Sequence, residues 1–133
     1  MVPEVEKAYS VSKSRNDRAI AGLSMGGTEL LYTGLNPIDR FAWIGAFSSG
    51  GLLTDHSANF PKLDSKGGAR LRLLWIACGK EDRLIESNRK LLEFLKSRDI
   101  RYTWTETPGA HTWMVWRRYL AEFAPLLFQD GTP

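Results

Sequence analysis

Apolar residues along this chain fall into two kinds of run. Residues 18–23 (RAIAGL), 41–49 (FAWIGAFSS) and 71–79 (LRLLWIACG) are almost unbroken. Strands buried on both faces lose the usual in-out alternation, so these three predict buried strands. Residues 101–108 (RYTWTETP) alternate apolar with polar and predict a fourth, half-covered strand. Helical spacing fills the intervals. Residues 25–36 (MGGTELLYTGLN) predict a helix stopped by Asn36 and Pro37. Across residues 84–99, Leu84, Ser87, Leu91, Leu92 and Leu95 form one stripe with charges opposite. Residues 112–128 predict a last helix, interrupted or ended near Pro125, and residues 3–9 the end of a short amphipathic one. The order α-β-α-β-loop-β-α-β-α predicts an α/β fold: a parallel sheet of about four strands with helices on its faces.

In such sheets chemistry collects beyond the carboxyl ends of the strands. The residues found there are Ser24 after the first strand, Ser48 to Gly51 after the second, GKEDR (79–83) after the third and GAHTW (109–113) after the fourth. A serine, an acid and a histidine thus arrive at one rim in the order Ser24, Asp82, His111. Ser24 lies in Gly22-Leu23-Ser24-Met25-Gly26, the G-x-S-x-G pattern of a nucleophile on a sharp strand-to-helix turn, and Ser-acid-His is the chain order of an α/β-hydrolase triad. Each residue also has a plainer reading. Ser24 could mark a glycine-rich helix entry without chemistry. Asp82 could be a residue favoured by a helix dipole, with Glu81 able to share its part. His111 could cap a helix at the surface.

Composition narrows the field. A chain of 133 residues, 43% hydrophobic and 25% charged, suits one domain, here residues 1–133. The net charge of +3 comes without a basic run or an aromatic-basic module, which argues against nucleic acid. One cysteine, Cys78, gives no disulfide framework and no cysteine-rich metal site, and reads as a small apolar strand residue. The opening MVPEVEKAYS lacks the apolar stretch of a signal peptide, and no later segment is long enough to span a bilayer. The expectation is a cytoplasmic chain, as written, without a membrane partner.

RAIAGLSMGG, IACGKEDRLIESNR and PGAHTWMVWRRYL, in that order, resemble the esterase family that includes feruloyl esterases, acetylxylan esterases and esterase D-like hydrolases. The likeness runs from about Val5 onward. It implies a serine carboxylesterase acting on small acyl or aromatic-acyl esters, with Ser24 as nucleophile, Asp82 as acid and His111 as base. The histidine takes the serine proton during attack and returns one to the leaving alkoxide, while the acid holds the imidazole tautomer. No metal or organic cofactor enters. The Met25 amide is the first oxyanion donor. Ser48 at the rim is a candidate to shape the substrate cleft, and Trp113 and Trp116 after the histidine are candidates either to line it or to pack the last helix against the sheet. Acyl transfer to a sugar or thiol would use the same triad.

In that fold the second oxyanion donor comes from a loop upstream of the nucleophile. Only 23 residues precede Ser24, and the expectation from the resemblance is that the family's N-terminal half is absent from this chain. Two expectations follow. The chain could be a catalytically weak hydrolase remnant with an assembly or binding role. The strand at 18–23 should also be left as an unpaired edge, which favours a homodimer or higher homo-oligomer that covers it. Trp43 and Trp75 read as core and Trp104 as a strand-face residue. His56, with no strand end before it, reads as ordinary surface.

Overall fold

The apolar runs become four parallel strands. The structure, a computed structural model, describes residues 2–36, 38–50 and 55–129. The strands are β1 (Ala19–Leu23), β2 (Trp43–Phe47), β3 (Leu73–Gly79) and β4 (Thr103–Thr107), in sheet order β1-β2-β3-β4. Registers such as Gly22↔Ala46, Ala46↔Ile76 and Cys78↔Glu106 bring all four carboxyl ends to one rim. The helices are α1 (Val2–Ala8), α2 (Ser24–Leu35), α3 (His56–Asn59), α4 (Ser65–Gly68), α5 (Ile85–Ser97) and α6 (Trp113–Phe123). Pro37 and Gly51, named above, lie outside the described residues.

Alternate residues of each strand feed two cores, as a two-residue side-chain period requires. On one face Leu30, Leu31, Leu91 and Leu95 from α2 and α5 pack on Ile44, Ala46, Leu74 and Ile76. On the other, Val115, Trp116, Tyr119 and Phe123 from α6 pack on Trp43, Phe47, Trp75 and Ala77. Trp43 and Trp75 are core as expected, and Trp104 packs partly buried against the first cluster. The aromatic side of this sandwich is tightly keyed: Phe47 meets Trp75, Tyr119 and Phe123 at centroid distances of 5.4, 6.0 and 5.8 Å. Helix α6 ends at Phe123 and tightens into a 3-10 turn at Ala124–Leu126, where Pro125 removes a backbone donor.

Two short helices were not legible as elements. Asp55 and Asp64 cap α3 and α4, accepting from the Ala58 and Gly67 amides at 2.9 and 2.7 Å. Helix α3 buries His56, which stacks on Phe94 of α5 at 5.6 Å and 23°. His56 is therefore a core histidine and not surface. Burial pushes its pKa below the ordinary value, and Lys90 adds to this while Asp55 opposes it. Arg15 fastens the amino ends of the strands: its guanidinium donates to the carbonyls of Arg70, Ile38 and Phe41 at 2.7, 3.1 and 2.8 Å.

Strand β1 pairs only with β2, so it is an edge, with Ala21 exposed and its other residues half-buried. Helix α1 has no buried residue and is tied to the start of β1 by a Glu6–Arg18 ion pair. Among the described residues, no helix is long and apolar enough to cross a membrane.

Candidate active site

Ser24 sits where β1 ends and α2 begins, with a left-handed φ of 53°. A non-glycine residue adopts that conformation at a cost, and it is what turns the chain sharply from strand into helix. Close packing explains two of the surrounding glycines. A Cβ on Gly22 would lie 2.7 Å from Leu30 Cδ2, and one on Gly27 would lie 2.7 Å from Ser49 Cβ. Gly26, the last glycine of the G-x-S-x-G pattern, meets nothing within 4 Å. The crowded glycine behind the serine is thus Gly27.

His111 lies between the other two predicted members. Its Nε2 is 2.8 Å from Ser24 Oγ, and its Nδ1 is 3.0 and 2.9 Å from Asp82 Oδ1 and Oδ2. A carboxylate only accepts, so Nδ1 carries the proton that faces it and Nε2 is left to accept from the serine hydroxyl. The Asp82 side chain is fully buried and that of His111 is 18% exposed. The Leu84 amide donates to Asp82 Oδ1 at 2.9 Å, which fixes the carboxylate from behind. Glu81, the alternative acid, accepts instead from the Gly109 amide and so braces the loop that carries His111. That loop lies directly on the end of β3, since a Cβ on Gly79 would fall 1.9 Å from Gly109 O.

The remaining predicted residues separate. Helix α2 begins at Ser24 without a side-chain cap, which leaves the amides of its first turn, Met25 among them, without a side-chain acceptor. Trp113 is 71% exposed and borders an apolar groove formed with Ala21, Leu23, Phe47, Trp116 and Leu120. Trp116 is buried, standing at 90° to the His111 ring with centroids 4.8 Å apart. Ser48 does not line the cleft: it is 0% exposed and accepts from Trp116 Nε1 at 3.0 Å. The chain at Ser48 turns inward at a φ of 48°, which carries its hydroxyl beneath the rim. Cys78 is buried in β3 beside Ser48 and Asp82, where burial first and the Asp82 charge second push its thiol up to about 12. It stays a neutral thiol at neutral pH. Among the described residues, no cluster of three or more His, Cys, Asp or Glu could hold a metal ion.

This geometry has relatives. The chain is 27% identical over 147 aligned residues to an acetyl esterase from Caldicellulosiruptor saccharolyticus, covering 85% of this chain and 55% of that protein. It is 27% identical over 130 residues to an endo-1,4-beta-xylanase/feruloyl esterase from Xylanibacter ruminicola, covering 97% of this chain and 17% of that one. A solved ferulic acid esterase superposes with a TM-score of 0.79 at 25% identity over 96% of this chain and 58% of its own. The chain thus spans at most about half to three-fifths of these relatives, and its four parallel strands are part of an α/β-hydrolase sheet. The sequence profile of the family described as "Putative esterase" matches residues 1–127, and the chain belongs to that family.

Proposed function

We propose that this chain carries the nucleophile, base and acid of a serine carboxylesterase. The observation that carries the reading is the single imidazole, His111, that reaches Ser24 Oγ at 2.8 Å and a buried Asp82 at 2.9 Å. The Ser24 hydroxyl attacks the ester carbonyl as its proton passes to His111 Nε2, and the imidazolium formed is stabilised by Asp82. His111 returns that proton to the departing alkoxide, leaving an acyl group on Ser24. Water, deprotonated by the same nitrogen, then releases the acid. The Met25 amide donates to the oxyanion, with the uncapped end of α2 adding its dipole.

The substrates are small acyl or aromatic-acyl esters of the acetyl or feruloyl kind. The names of the relatives support this class, and the apolar groove beside Trp113 and Leu120 offers a surface for an acyl chain or ring. A second reading concerns the 133 residues assayed by themselves: they span 55% of the acetyl esterase they resemble, and weak catalysis is expected of them if no second oxyanion donor is supplied. A missing oxyanion donor lowers turnover about 100- to 1000-fold.

The deciding experiment compares hydrolysis of 4-nitrophenyl acetate by the chain and by Ser24→Ala. Turnover by the first alone, with a fluorophosphonate label on Ser24, is the expected result. Equal rates and no label would remove the esterase reading.

A further inference from the structure

The helices that follow the three triad members are all fastened to one loop. Ser48, Ser49 and Gly50, at the exit of β2, are buried. The Gly50 amide donates to Thr28 Oγ1 of α2 at 3.0 Å, and Asn88 Nδ2 of α5 donates to the Ser49 carbonyl at 2.7 Å. Trp116 Nε1 of α6 donates to Ser48 Oγ at 3.0 Å. Ser24 opens α2, Asp82 precedes α5 and His111 precedes α6. A strand that contributes no member of the triad therefore tethers the elements of all three.

The bond to α6 is the one that bears on the chemistry. Two hydrogen bonds define where the imidazole nitrogens must lie, but they leave the ring free to swing out whenever the serine bond breaks. The Trp116 indole occupies the space beside that ring, perpendicular at 4.8 Å. The indole is itself held, because a buried N–H keeps its acceptor. That acceptor is rigid: Ser48 has a left-handed φ of 48°, and its amide donates to Ala77 O at 2.7 Å. Trp113 flanks the same indole at 5.5 Å.

Resting on the serine-esterase reading above, we propose that Ser48 is a positioning residue. Its hydroxyl anchors the Trp116 indole, and the indole holds His111 where it reaches Ser24 and Asp82 together. Ser48 touches no substrate, since it is wholly buried. Its loss therefore acts on kcat and not on KM, and Ser48 and Trp116 act as one unit.

The test uses the full chain with Ser48→Ala, Trp116→Phe and the double variant. Leu63→Ala, in the core on the opposite face of the sheet, serves as a control for lost stability. The readouts are kcat and KM on 4-nitrophenyl acetate, the rate of fluorophosphonate labelling, and the downfield proton signal of His111 Nδ1. The expected result is a fall in kcat and labelling of about 10- to 100-fold in each variant, with KM within about twofold in Ser48→Ala, whose side chain does not border the groove. The Nδ1 proton should broaden in both single variants, and the double variant should be no worse than the more damaged single. Signals and labelling rates that stay at wild-type values, or fall only as far as in Leu63→Ala, would overturn the proposal. If wild type and Ser24→Ala turn over equally, the esterase reading fails by itself. The Nδ1 proton reports imidazole placement without turnover, so it still decides the role of Ser48.

Discussion

Ser24 and His111 meet at 2.8 Å although they stand 87 positions apart in the chain. Both stand at the carboxyl ends of parallel strands, and Asp82 closes the line from the end of the strand between β2 and β4. The most informative substitution is therefore at the far end of this line. In Asp82→Asn the amide oxygen can keep the Leu84 bond while the NH2 faces Nδ1. That drives the imidazole proton to Nε2, the nitrogen that must accept from Ser24. The expected outcome is a fall in kcat on the order of 10,000-fold with the fold intact, read by esterase assay beside circular dichroism. A loss under tenfold would argue against this acid.

The elbow glycines differ in what they tolerate. Gly27→Ala drives a Cβ to 2.7 Å from Ser49, so it should destabilise the chain by about 1–3 kcal/mol in urea unfolding. Gly26→Ala meets open space in an α-helix and should be neutral or stabilise by up to about 1 kcal/mol. The reverse order of effects would mean that the turn is packed differently.

Much of this was legible in sequence because the features involved are local. Unbroken apolar runs gave β2 and β3, and a two-residue alternation gave β4. Ser24, Asp82 and His111 could be singled out because each lies within four residues of a strand's carboxyl end. Ser48 follows a strand as well, yet nothing local says that its hydroxyl turns inward to an indole 68 positions away. His56 likewise owes its burial to Phe94, on a helix beyond the next strand. Gly26 and Gly27 are adjacent and alike in sequence, and only packing against Ser49 distinguishes the two.

His56 supplies a pH dependence. Its folded pKa lies below the unfolded value of about 6.5, so in the window between them the unfolded chain binds the proton and the folded chain does not. Stability should be full above that window and decline as pH falls through it. Urea midpoints between pH 7.5 and about 5 should show the decline in wild type and a flatter profile in His56→Phe. Parallel profiles would assign the effect elsewhere.

The open edge of β1 predicts self-association of the 133-residue chain. Unpaired strand backbone recruits another strand, and exposed Trp113 and Leu120 border a groove with Ala21 and Leu23 of β1. Gel filtration at micromolar concentration should show a homodimer or larger particle, and Ala21→Lys, a charge on the exposed edge position, should shift it toward monomer. A monomeric wild-type profile would refute the prediction.

The fastening of α2, α5 and α6 to residues 48–50 has a consequence for how this surface meets anything else. The hydrogen bonds among Ser24, Asp82 and His111, and the contacts that brace them, are made by residues on the β2-to-β4 side of the elbow or on the elbow itself. The line of hydrogen bonds from Ser24 through His111 to Asp82 therefore closes without a residue from beyond the β1 edge. A strand or subunit arriving at β1 would meet that line already set, and under the proposed esterase function it would add shape and donors around the ester rather than alignment of Ser24, His111 and Asp82.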